Sequence, residues 1–145
     1  MLIININEFK HEEARKIFVN LPVKELNKSV EFFTNLGSKF DPKFTDKNTT
    51  CMIVNETIFV MLLVEIFFRT FSQKEKCNTA KNIELILALS VEGREIVDEL
   101  VDKAINAGGI EPLKLQDHGW MHDRSFDDID GYLSKLVFMN GTKIM

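Results

Sequence analysis

Apolar residues recur with a two-residue period over positions 17–23, where Val19, Leu21 and Val23 share one face, so this segment predicts a β-strand. Pro22 has no N–H for a ladder and places the strand at a sheet edge, or at the point where pairing ends. Leu26, Val30, Phe33 and Leu36 then fall on one side of a helix, and Gly37 stands where a left-handed C-terminal cap belongs. Three strands are predicted next, near residues 39–44, 50–54 and 57–64, with a tight hairpin at Asn55-Glu56 between the last two. The pattern then restarts. Residues 83–91 predict a strand with Leu87, Leu89 and Val91 on one face, followed by a wide helical stripe of Ile96, Val97, Leu100, Val101, Ala104 and Ile105. Gly108-Gly109 stops that helix. Strands follow near 110–114, 121–126 and 132–139, the last two joined through Asp128-Ile129-Asp130-Gly131, a turn with glycine at its left-handed position.

The order β-α-β-β-β therefore occurs twice. Leu21-Pro22-Val23, helix, Leu36-Gly37 is echoed by Leu89-Ser90-Val91, helix, Ala107-Gly108. Such a repeat predicts an α+β fold of two βαβββ modules, residues 16–64 and 83–139, each too small to bury its own sheet face. One sheet face lies under the helix; the other is concave and must meet a ligand, a partner or its twin. Residues 1–15 carry no clear period and read as an extension, and 140–145 as a tail. In the connector, 65–82, Phe67, Phe68 and Phe71 share a helical face, and Ser72 with Glu75 fits a capping box. That cluster is either a lid or dimer contact, or a connector tucking aromatics into the core.

Composition narrows the function classes. The 145 residues suit one domain able to bury a core. Lys and Arg number 18 against 22 Asp and Glu, a net −4 with a sequence pI near 5.4. A mildly acidic, mixed-sign surface argues against a nucleic-acid binder. The longest apolar run, 58–64, is too short to span a bilayer, and the N-terminus lacks a signal-peptide pattern. A cytoplasmic protein without membrane contact is expected. Cys51 and Cys77 lack CxxC spacing, and Cys51, with no base near it in sequence, reads as a small core residue.

Specific stretches carry a resemblance. The run from Val19 to Leu26, then Ser29, Phe32-Phe33 and Leu36-Gly37, resembles the opening of vicinal oxygen chelate (glyoxalase/bleomycin-resistance/dioxygenase) proteins. Leu87-Ala88-Leu89-Ser90-Val91 and the run from Phe126 to Tyr132 look like their second-half signatures. Phe44-Thr45-Asp46, Cys51-Met52, Val60-Met61-Leu62-Leu63 and Asp117-His118-Gly119-Trp120-Met121 are similar to a bacterial subgroup labelled "predicted lactoylglutathione lyase-related". The resemblance spans about residues 16–139. It implies a curled cup, often completed in a homodimer, with the active site inside. Metal-dependent members place His or Glu on the first and fifth strands and Glu on the fourth and eighth. Carried over, these positions are Phe18, Met61, Ile86 and Lys135, none of them a fitting ligand for a divalent cation. No metal and no cofactor is expected there.

Other candidates follow from alternation. If Phe18 faces the cup, so do Asn20, Phe59, Met61, Ile86, Ala88 and Lys135, giving a mostly apolar lining of the kind small-molecule pockets have. Lys135 then needs a carboxylate, an anionic ligand group or water, or else it snorkels to the rim and pairs with a surface acid. At the mouth, His118, Trp120 and Arg124 offer a hydrogen-bonding imidazole, an aromatic face and a guanidinium fork. The alternative there is a Trp packing the cup edge and an Arg in a solvent-facing ion pair. His118 and His122 are four apart, a metal spacing only on a helix, which Gly119-Trp120 argues against. The expected function is metal-free binding of a small, mostly apolar and anionic molecule in the cup of a homodimer. The alternatives are a metal-dependent lyase or dioxygenase of the same superfamily, and a degenerate relative acting only through protein contacts.

Overall fold

A computed structural model describes residues 15–113, 116–117 and 119–141. The predicted extension, apart from Arg15, lies outside them, as do His118 and most of the tail. The first module runs β1 (Ile17–Val23), α1 (Leu26–Asn35), β2 (Lys39–Phe40), β3 (Thr49–Ile53) and β4 (Ile58–Val64). A short α2 (Glu65–Phe68) opens the connector. The second module runs β5 (Ile86–Ser90), α3 (Arg94–Asn106), β6 (Gln116–Asp117), β7 (Met121–Asp127) and β8 (Leu133–Met139). The two four-stranded sheets have orders β1-β4-β3-β2 and β5-β8-β7-β6, each with one parallel pair, β1 with β4 and β5 with β8. The twofold βαβββ repeat is thus present in topology as well as in sequence. β1 is an edge strand, which accommodates Pro22.

Three local expectations are corrected. The strand at 39–44 stops at Phe40, because Pro42 lacks an N–H and the Asp41 side chain accepts from the Lys43 N–H at 2.9 Å, closing a 3-10 turn over Pro42–Phe44. Among the described residues of the strand expected at 110–114, Ile110 makes one bridge with Asp127 and Pro112 follows shortly; Lys114 lies outside them. The Ser72 capping box starts no helix: Ser72 is extended, and its hydroxyl accepts from the Lys74 N–H two residues on, a local turn that competes with helix. Of the aromatics before it, Phe67 and Phe71 meet edge to face at 5.2 Å, while α2 packs on β1 and β4.

One core serves both modules. The helix-side residues Leu21, Val23, Val60 and Leu62 of the first sheet join Phe126 and Leu136 of the second through Phe32 and Phe33 of α1 and Val97, Val101 and Ala104 of α3. The stripe on α1 is rotated from the predicted one, with its buried centre at Ser29, Phe32 and Phe33. Ser29 is tolerated there because its hydroxyl donates to Asp130 Oδ2 at 3.0 Å. Asp130 Oδ1 also accepts from the Lys24 N–H, and the Tyr132 hydroxyl donates to the Pro22 carbonyl at 2.8 Å, so the 128–131 turn ties the second module to the first.

Candidate functional site

The register of each sheet sorts the candidate residues. On the first sheet, rows of neighbours run Phe18–Phe59–Ile53 and Asn20–Met61–Cys51 across β1, β4 and β3, on the face away from the shared core. On the second, rows run Ile86–Leu133–Asp127, Ala88–Lys135–Ser125 and Ser90–Val137–Asp123 across β5, β8 and β7. All seven predicted cup residues therefore lie on open sheet faces. Within one chain they form two groups. Because the helix sides of both sheets meet in one core, Phe18, Asn20, Phe59 and Met61 look outward from one sheet, and Ile86, Ala88 and Lys135 from the other.

The first open face is aromatic. Phe18 and Phe59 stack at 4.9 Å with 14° between their planes, and Phe18 keeps 44% of its surface exposed. One amide N–H of Asn20 is used by its own strand, donating to the Phe18 carbonyl at 3.1 Å. Cys51, on the same face, is fully buried, and burial and then the Asp41 charge raise its thiol pKa, making it a poor nucleophile at neutral pH.

The second open face holds the counter-charge that Lys135 requires. Asp123 Oδ2 lies 3.7 Å from Lys135 Nζ, with the lysine side chain 39% exposed and the aspartate 9%. Sequence reasoning omitted Asp123, although alternation from Met121 along β7 places it on this face together with Ser125. The stated need of Lys135 for a carboxylate was the signal that pointed there.

Arg124, expected either at the mouth or in a solvent-facing ion pair, is ion-paired with three carboxylates. It lies on the helix side of β7, where its guanidinium donates to Glu111 at 2.8 and 2.9 Å, Asp98 at 3.2 Å and Asp102 at 3.1 Å. β7 carries it there because even-numbered positions share the helix side with Phe126. Those bonds hold the Glu111 carboxyl below the usual carboxylate range; for Asp98, burial pushes the other way but the bonds from His122 and Arg124 prevail. His122 joins this network through Nε2, 3.1 Å from Asp98 Oδ1. Trp120 is half-exposed just ahead of β7.

A further recess of about 270 Å³ opens between the modules on the helix side, with Leu36, Met52, Val54, Leu87, Leu89 and Leu100 in its wall. It exists because α3 packs on β7 and β8, leaving the helix-side residues of β5 partly uncovered. The sequence pattern had placed Leu87 and Leu89 under a helix.

No family model matches the chain, and no curated protein matches it either. Solved structures do. A hypothetical protein from S. aureus is 26% identical, with a TM-score of 0.73 over 87% of this chain and 95% of that one. A glyoxalase/bleomycin resistance protein/dioxygenase family enzyme from Burkholderia phytofirmans is 15% identical, TM-score 0.71, over 87% and 99%. The fosfomycin resistance protein FosX from Mesorhizobium loti is 11% identical, TM-score 0.61, over 92% and 95%. The chain has the glyoxalase/bleomycin-resistance/dioxygenase fold. Phe18, Met61, Ile86 and Lys135, the positions that the resemblance assigns to metal ligands, lie on β1, β4, β5 and β8, each on an open face. Their chemistry does not fit the metal. A phenyl ring, a thioether, a branched alkyl chain and an ammonium supply none of the imidazole or carboxylate donors that such a cation requires. Among the described residues no cluster of three His, Cys, Asp or Glu could hold a metal elsewhere, and no helix is long and apolar enough to cross a membrane.

Proposed function

We propose that this protein binds a small, mostly apolar molecule on its open sheet faces without a metal, in a cup made of the first sheet of one chain and the second sheet of another. The observation that carries this reading is the chemistry of the four positions where the fold would place metal ligands. They are occupied by an aromatic ring, a thioether, an alkyl chain and a paired lysine, on faces that also carry the apolar Phe59, Ile53, Leu133 and Val137. Such surfaces remove apolar ligand area from water at roughly 25 cal/mol per Å². The fold likeness alone speaks for a metal-dependent lyase or dioxygenase, and fold does not fix function.

Methionine methyls provide the test. Met61 lies on the first open face, Met121 and Met139 on the second, whereas Met52 faces the core and borders the inter-module recess. In protein labelled at methionine methyls, titration with toluene should shift Met61, Met121 or Met139 and leave Met52 in place, with or without a chelator. Ala88→Phe, which puts a ring beside Lys135 on the open face, should weaken the shift several-fold. A shift confined to Met52 would move the site to the recess, and binding lost with the chelator would restore the metal-dependent reading.

The cup also requires a second copy, because the two faces of one chain point outward from a shared core and expose apolar surface. Sedimentation at micromolar concentration is expected to give a dimer. A monomer that still binds toluene on an open face would leave the face as the site and remove the composite cup.

A further inference from the structure

We infer that the open face of the second sheet selects its ligand through a neutral group that both donates and accepts hydrogen bonds, such as a primary carboxamide, read by Asp123 and Lys135 together. The inference rests on the proposed binding at the open faces and names the polar end of the molecule bound there.

The argument starts from the distance between the two charged groups. At 3.7 Å, Lys135 Nζ and Asp123 Oδ2 attract each other but are too far apart for a good hydrogen bond. Among the described residues neither side chain makes a hydrogen bond to any other group, so the ammonium retains its donors and the carboxylate its acceptor positions. The Ser125 hydroxyl, directly across from Lys135 in the β7–β8 register, can serve in either role. Ala88, Leu133 and Val137 beside them are apolar, and Ser90 and Asp127 stand one position further along the same face, across from Val137 and Leu133.

Charge then decides between ligand classes. An anionic ligand would satisfy Lys135 but set a second negative charge beside Asp123, which is only 7% exposed and poorly screened by water. A cationic ligand would set a like charge beside Lys135, at a smaller cost because that side chain is 39% exposed. A carboxamide directs its oxygen to the ammonium and its N–H to the carboxylate, and it leaves the pair neutral. A polar site built this way rejects an isostere that leaves one of its groups unpaired. The lysine that in sequence pointed to an anionic ligand thus acquires a different meaning once its neighbour on β7 is placed.

Benzamide and benzoate, nearly the same in shape, separate the possibilities. Titrated at neutral pH into the full chain and followed at the Met121 and Met139 methyls, benzamide should bind at least about ten-fold more tightly than benzoate. Asp123→Asn removes the repelling charge while keeping the shape, and should reverse the order. Lys135→Met should weaken benzamide without favouring benzoate. The Met52 methyl reports whether each variant keeps its core, and the comparison on unaltered protein stands even if a variant does not fold. Equal affinities, or a preference of the unaltered protein for benzoate, would overturn the inference while toluene binding at the open faces kept the broader reading alive. If toluene, benzamide and benzoate all leave Met61, Met121 and Met139 unshifted, both are wrong.

Discussion

Asp128→Asn is expected to abolish a loss of stability that the unaltered protein suffers as pH rises toward neutrality. Asp128 is 8% exposed, and burial raises its pKa to about 7 despite the bonds it accepts from the Tyr132 and Asp130 N–H groups. In the unfolded chain the same carboxyl titrates near its ordinary value of 3.8. Between those two values the folded state holds the proton and the unfolded state releases it, so stability falls across the interval and levels off above pH 7. At about 1.4 kcal/mol per pH unit, the whole interval is worth about 4 kcal/mol at most. Asparagine keeps an oxygen for the two N–H groups and carries no charge at any of these pH values. Urea denaturation at pH 5.5 and pH 8 should therefore show a decline in the unaltered protein and a flatter profile in the variant. Parallel profiles would mean that Asp128 ionises normally.

Gly131→Ala should be the costliest glycine substitution of the turns, at about 3 kcal/mol. The residue sits at φ +87°, and an added Cβ would lie 2.6 Å from the Thr79 carbonyl oxygen. The left-handed backbone alone costs an L-residue about 1–2 kcal/mol. The clash adds to it, because Thr79 is itself held by its hydroxyl donating to the Asp130 carbonyl and cannot retreat without breaking that bond. Gly37 provides the comparison. Its φ is +96° with nothing within 4 Å of an added Cβ, so Gly37→Ala should cost only the backbone strain, about 1–2 kcal/mol. Equal losses for the two variants in chemical denaturation would show that the connector yields freely at Thr79.

Elements with strong local signals were legible in the sequence. The alternation of Val19, Leu21 and Val23, the glycine caps after both long helices, and the Asp128–Gly131 turn each owe their form to neighbours a few residues away. Two predictions failed to a competing local bond: the Asp41 side chain closed a turn where a strand was expected, and Ser72 turned back on its own backbone.

By itself the sequence determined the twofold βαβββ order and the faces of the strands, because periodicity needs no knowledge of distant contacts; the four positions without a metal donor came from the resemblance and the chemistry of the residues there. Tertiary structure alone decided three things. It joined the helix sides of both sheets into one core and so turned the open faces apart. It turned Arg124 toward Asp98, Asp102 and Glu111 on and beside α3. It set Asp123 against Lys135, changing a bare cation into a polar pair. The physical reason is the same in each case: a side chain's partner across strands or helices depends on register and packing, which bring together residues separated by many positions in the chain.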